Sequence, residues 1–149
     1  LGPAHYSAIA VKDELADARA KLEEAIFGYF DALQLPDEPT LYDHLIFSLR
    51  GKDVIATFNW DPFLMQAARR SNLPECQIPR LVCLHGNVAA GFCLQDSVLR
   101  PFGASCSRCS LPFEPMPLLY PVEDKDCHQG LMIAREWEAI QAALEHSFF

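Results

Sequence analysis

The chain has 149 residues, half of them hydrophobic and 21% charged, which describes one globular domain, or a piece of one, with a single core. Its formal net charge of -8 argues against nucleic acid as the main partner and against an acidic membrane surface, since both are bound through Lys and Arg clusters. No apolar run approaches the roughly 18 residues of a membrane span and no signal peptide opens the chain, so it reads as cytoplasmic; a start at Leu1 reads as trimming or excision from something longer.

Residues 8 to about 34 carry a long helical pattern. Val11, Leu15, Ala18, Leu22, Ile26, Tyr29 and Leu33 recur three or four apart, which predicts a surface helix with one buried stripe. Pro36 and Pro39 enclose a break. Thr40 then caps a second helix, with Asp43 three residues later as a loose capping box, and Gly51 ends it.

Val54-Ile-Ala-Thr-Phe-Asn-Trp-Asp-Pro62 starts as a β-branched and aromatic strand and finishes in polar groups. A short helix follows through Phe63 to Arg70, with Asp61 at its N-cap and Pro62 at its first position. Residues 71–79 read as loop. Arg80-Leu-Val-Cys-Leu-His-Gly86 repeats the earlier design, an apolar strand ending in His85. Two strands separated by a helix predict a βαβ unit with a parallel pair, so that Asn59 and His85 emerge beyond the carboxyl ends, where ligands of such sheets bind. Residues 87–121 are rich in proline and cysteine without periodicity, and a loop of that length needs its own source of order, which a metal supplies. A last helix runs from about Leu131, with Ile133, Trp137, Ile140 and Leu144 on one face and Arg135, Glu136, Glu138 and Glu145 elsewhere.

The six cysteines sit at positions 76, 83, 93, 106, 109 and 127. In a cytosolic chain a Cys-x-x-Cys pair more often binds metal or does redox work than forms disulfides. Cys106-Ser-Arg-Cys109 can grip one tetrahedral zinc, with Cys93 as a third ligand. Asp96 occupies the place of a second cysteine after Cys93; Cys127 and His128 are the other candidates for the fourth ligand. Cys83 reads as a small core residue. His85 suits a general base, though a lone histidine is more often structural. Asn59 can hold a ribose or an amide and can equally cap the next helix, as can Asp61. Trp60 and Trp137 read as packing.

Taken together, Thr57-Phe-Asn-Trp-Asp61, Leu84-His-Gly86 and the cysteine module that follows resemble the sirtuin-like superfamily in order and spacing. Sirtuins carry a Thr-Gln-Asn-Ile-Asp segment, then a strand ending in His-Gly, then a four-ligand zinc ribbon. With Leu-His-Gly-Asn and Pro117-Leu-Leu-Tyr-Pro-Val122 added, the string is most similar to the bacterial sirtuin-like proteins that hydrolyse NAD, some of them in defence systems. The resemblance spans roughly Val54 to Leu144. It implies a Rossmann-like α/β fold with an inserted zinc-ribbon-like module. Residues 1–53 then form an N-terminal helical region, 54–86 and 122–149 the Rossmann-like part and 87–121 the insertion. It implies further that NAD is the substrate and zinc a structural metal, that Thr57, Asn59 and Asp61 line the nicotinamide-ribose pocket, and that His85, with Asn59, is catalytic.

No Gly-x-Gly precedes Val54 and the chain stops before the later sirtuin strand, so the expected sheet is incomplete. The stretch then derives from an NAD glycohydrolase and is inactive alone. Leu118-Leu-Tyr-Pro-Val122 stands where deacetylases carry Phe-Gly-Glu, which disfavours the alternative of a lysine deacylase. A zinc-stabilised interaction module, self-associating or bound to a partner protein, is the other alternative.

Overall fold

In the computed structural model, which describes residues 3–103, 105–120 and 130–147 and side chains from residue 13 onward, two small sheets and three of four helices share one core. The elements are α1 (Pro3–Asp31), α2 (Leu41–Ser48), β1 (Val54–Thr57), α3 (Phe63–Arg70), a single 3-10 turn (Glu75–Gln77), β2 (Arg80–Cys83), β3 (Ala90–Cys93), β4 (Val98–Pro101), β5 (Glu114–Pro115) and α4 (Leu131–Glu145). The chain is therefore a mixed α/β domain. No helix among the described residues is long and apolar enough to cross a membrane.

β1 and β2 pair in parallel, Val54 opposite Arg80 and Thr57 opposite Cys83, with α3 between them in sequence as the βαβ pattern requires. The second sheet is antiparallel in the order β4-β3-β5, and its strands lie in the stretch where the sequence has no periodicity. β3 is buried along its whole length, so it has no polar face to create an alternation. Phe92 and Leu99 from this sheet join Leu64, Met65, Cys83 and Ile133 in the main core. Burying side chains of this size contributes about 1.5–3 kcal/mol each.

Most of the stripe on α1 is left uncovered by the described residues; only Ile26 and Leu33 are partly buried. Leu15, Leu22 and Tyr29 are 66, 61 and 65% exposed, and the Val11 side chain lies outside the described residues. α1 instead touches the body one step round the helix, where Phe30 meets Trp60 edge-on at 5.7 Å and the Tyr120 hydroxyl donates to the Glu23 carbonyl at 3.0 Å. Periodicity fixes the position of an apolar stripe but does not supply a surface to cover it.

The capping box at Thr40 forms: its backbone N–H and its hydroxyl both donate to Asp43 Oδ2 at 2.6 Å. Arg70 from α3 completes the arrangement, its Nε donating to Asp43 Oδ1 at 2.6 Å and its Nη1 to the Pro36 carbonyl at 2.6 Å. The Arg70 guanidinium, and after it the Thr40 hydroxyl, hold the Asp43 carboxyl well below the usual carboxylate range. One turn earlier, the Gln66 amide donates to the Leu33 carbonyl and accepts from the Leu35 N–H, both at 2.8 Å. α3 thus fastens the whole 33–43 connection. Gly51 does not end α2, which stops at Ser48; a Cβ on Gly51 would lie 1.8 Å from the Cys76 carbonyl, so the residue is there for close approach.

Glu136 departs from the expectation that it lies on the polar side of the last helix. It is only 2% exposed, and its carboxylate accepts the Cys83 N–H at 2.8 Å, at the edge of β2 that no strand covers among the described residues. Burial pushes its carboxyl up to about 7 from 4.5, against the pull of that N–H and of Arg80. Between these two values the folded chain keeps a proton that the unfolded chain has lost, so stability falls as pH rises through the window. Glutamine keeps the acceptor without the charge. Glu136→Gln is expected to match the wild type at pH 5 and to exceed it at pH 8, by up to about 3 kcal/mol. Urea denaturation at both values checks this, and a variant weaker at both pH values would refute it.

Candidate functional site

The two strand-end loops are stitched together through their backbones. The Trp60 indole N–H donates to the His85 carbonyl at 3.1 Å, and the Val88 N–H donates to the Trp60 carbonyl at 3.1 Å. Asn87, 1% exposed, sends its amide N–H to the Asp61 carbonyl at 2.6 Å and to the Asn59 carbonyl at 3.4 Å. From α4, the Trp137 indole N–H donates to the Leu84 carbonyl at 3.1 Å. The tryptophans pack as expected, and each also serves as a donor to the outgoing end of β2.

Against this fixed backbone the predicted residues take different places. Thr57 Oγ1 accepts the Asn59 N–H at 3.0 Å, and Asp61 Oδ1 accepts the Phe63 N–H at 3.2 Å, so both serve local turns. α3 starts at Phe63 with Pro62 at its N-cap, one residue later than expected, and Asp61 reaches the Phe63 N–H from the position before the cap. The Asn59 side chain is exposed and makes no hydrogen bond among the described residues. His85 is half-buried, its ring edge-on to Phe58 at 4.8 Å. Two groups able to handle protons and hydroxyls thus stand on neighbouring loops at the carboxyl ends of the parallel pair. Cys83 is wholly buried, and burial, followed by the Glu136 and Asp61 charges, pushes its thiol well above the ordinary range, so it is no nucleophile.

Sequence reasoning gave Asn87 no role. An asparagine following His-Gly is an ordinary loop residue until its burial is known, and burial is what obliges the amide to find partners. Gly86 also has a structural task, with φ of 81° and a would-be Cβ 1.9 Å from the Pro117 carbonyl.

The second cluster is the cysteine module. Ligand atoms of Cys93, Asp96, Cys106 and Cys109 all lie within 4.8 Å of one another. Cys93 Sγ is 3.5 Å from Cys109 Sγ and 3.7 Å from Asp96 Oδ2, and Cys106 Sγ is 3.1 Å from the same oxygen. A tetrahedral ion with bonds of about 2.3 Å to sulfur and 2.0 Å to oxygen sets its ligands about 3.5–3.8 Å apart, so the donor set fits a divalent metal such as zinc. Of the three candidates for the fourth ligand, Asp96 belongs to the cluster; Cys127 and His128 lie outside the described residues.

Local chain geometry builds this centre. Cys93 ends β3 and the Asp96 N–H donates back to its sulfur at 3.4 Å, while Ser97 takes a left-handed φ of 52° to turn into β4. In the second turn the Ser110 N–H donates to the Cys106 carbonyl at 2.9 Å, and Phe113 packs beneath. Arg135 from α4 clamps the first turn, donating to the Leu94 carbonyl at 2.7 Å and to the Ser97 hydroxyl. The Asp96 N–H lowers the Cys93 thiol, whereas at Cys109 the Leu111 N–H is outweighed by burial and the neighbouring acids, which push that thiol up to about 12. Crowded acids repel one another as anions, and a shared cation removes that conflict.

No family model, curated protein or solved structure matches this chain.

Proposed function

We propose that the chain is a zinc-stabilised, Rossmann-like domain of the sirtuin-like type that binds NAD at the strand ends and derives from an NAD glycohydrolase. The observation that supports this most is the placement of Asn59 and His85 on neighbouring loops held together by Trp60 and Asn87. In the proposed reaction the bond between nicotinamide nitrogen and ribose C1′ breaks, with its electron pair leaving on nicotinamide. Water adds at C1′ and gives its proton to His85, while Asn59 orients the water or the ribose hydroxyls. Zinc at Cys93, Asp96, Cys106 and Cys109 orders the adjoining sheet and takes no part in the chemistry.

Calorimetry with NAD and assay of released nicotinamide test the reading. NAD is expected to bind, and Asn59→Ala or His85→Ala to abolish nicotinamide release from the full-length protein without changing its metal content. A folded, metal-loaded full-length protein that neither binds nor consumes NAD would discard it. The exposed Leu15, Leu22 and Tyr29 on α1 favour a second reading, an interaction module whose helix docks on a partner or on another copy without catalysis. Heat with NAD separates the two.

A further inference from the structure

The amino ends of the parallel strands border a feature of another kind. Two adjoining hollows of about 720 and 340 Å³ lie between α3, the Glu75–Gln77 turn, β4 and the Cys106–Cys109 turn. Volumes of this order suit small-molecule ligands. The larger hollow is bounded by Gly51 and Arg80, at the start of β2, so it lies at the end of the sheet opposite Asn59 and His85.

Their walls run against the charge of the chain. Arg69, Arg100 and Arg108 line both hollows, and Arg80 joins them in the larger. Arg69 and Arg108 make no hydrogen bond or ion pair among the described residues. Arg100 is held in place by Glu75, whose Oε1 accepts from Nε at 3.0 Å, and by the Leu99 carbonyl, which accepts from Nη1 at 2.7 Å. Of the acids nearby, Asp96 belongs to the metal cluster and feels the Arg108 charge, which helps to lower its carboxyl, and Glu136 accepts the Cys83 N–H. In a protein of net charge -8, this face is where an anion would be steered.

The smaller hollow adds two hydroxyls, Ser105 and Ser107, and the ring of Phe102, which is exposed. Guanidinium forks with hydroxyls are a phosphate-binding set, and an open aromatic face stacks a nucleobase. The apolar floor of Leu73, Ile78 and Val98 accepts the sugar's less polar side. We infer that this groove binds a nucleoside monophosphate, its phosphate between Arg69, Arg108 and the two serines and its base against Phe102. The inference is independent of the reading of the strand-end loops.

Calorimetry on the metal-loaded protein with AMP, adenosine and inorganic phosphate tests it. AMP is expected to bind one site, at least tenfold more tightly than either fragment. Arg69→Ala, an exposed change on α3, should weaken AMP about tenfold, and Phe102→Leu should weaken AMP while leaving phosphate unchanged. Absence of saturable AMP binding would overturn the inference, as would adenosine or phosphate binding as tightly as AMP. AMP binding lost in Asn59→Ala and kept in Arg69→Ala would move the ligand to the strand ends and overturn it equally.

Discussion

Removal of the metal is expected to lower the melting temperature by about 10 °C or more and to loosen the β3–β4 hairpin selectively. Purified protein should carry close to one zinc per chain, bound by Cys93, Asp96, Cys106 and Cys109. Apart from the Arg135 clamp on the first turn and the backbone bonds that close the second, the two turns that supply these ligands have only a small apolar contact to hold them. Beneath them lies a small cluster of Cys93, Cys106 and Phe113, and the left-handed Ser97 and Ser110 are costly conformations for residues with a Cβ. Cys106→Ser or a chelator should therefore expose amides of residues 93–110 to hydrogen exchange, while β1 and β2 keep their protection. Thiolate ligands must lose their protons, so zinc should also leave as the pH is lowered. Asp96→Cys, which makes the site all-sulfur, should tighten zinc and keep the fold. Metal analysis and thermal melts check these outcomes; a folded protein with almost no zinc and a melt insensitive to chelator would contradict them.

Gly86→Ala is expected to be the most damaging single methyl in the chain. At φ of 81° an alanine pays about 1–2 kcal/mol for its backbone alone. Its Cβ would also sit 1.9 Å from the Pro117 carbonyl, a backbone atom that cannot swing aside as a side-chain end can. The 117–119 segment must retreat, and with it goes the bond from the Leu119 N–H to the His85 carbonyl at 2.8 Å. A loss of about 4 kcal/mol or more follows, a large share of the stability of an ordinary domain. Gly28→Ala is the matching control. Gly28 lies within α1 with nothing near its Cβ position, so the same methyl there should stabilise by about 0.5–1 kcal/mol. Urea denaturation of the two variants decides the matter, and equal effects at both positions would refute the steric argument.

Local chemistry made much of the chain legible. The Thr40 cap, the helix after Asp61, the two strands with their parallel pairing and the last helix all follow from periodicity, caps and turn residues, which act over a few positions. The Cys-x-x-Cys turn, with Cys93 and Asp96 at the spacing of a second one, identified a metal-ligand set that the fold brings within 4.8 Å. The antiparallel sheet of β3, β4 and β5 was not legible, because β3 is buried on both faces and β5 is two residues long. Its order comes from pairing between segments that no local pattern connects.

By itself, then, the sequence determined which stretches are helical, the parallel strands β1 and β2, and which residues can take a metal or move a proton, although α1 begins at Pro3 rather than at residue 8. Tertiary structure alone decided burial. It left most of the α1 stripe uncovered by the described residues, buried Glu136 against the edge of β2, gave Asn87 the task of holding the Asn59 and Asp61 turns, and gathered the arginines of α3, β4 and the cysteine turn around one groove. The physical reason is one of range. Propensity, capping and turn chemistry act within a few residues, whereas desolvation and the partners it demands depend on what the distant chain brings alongside.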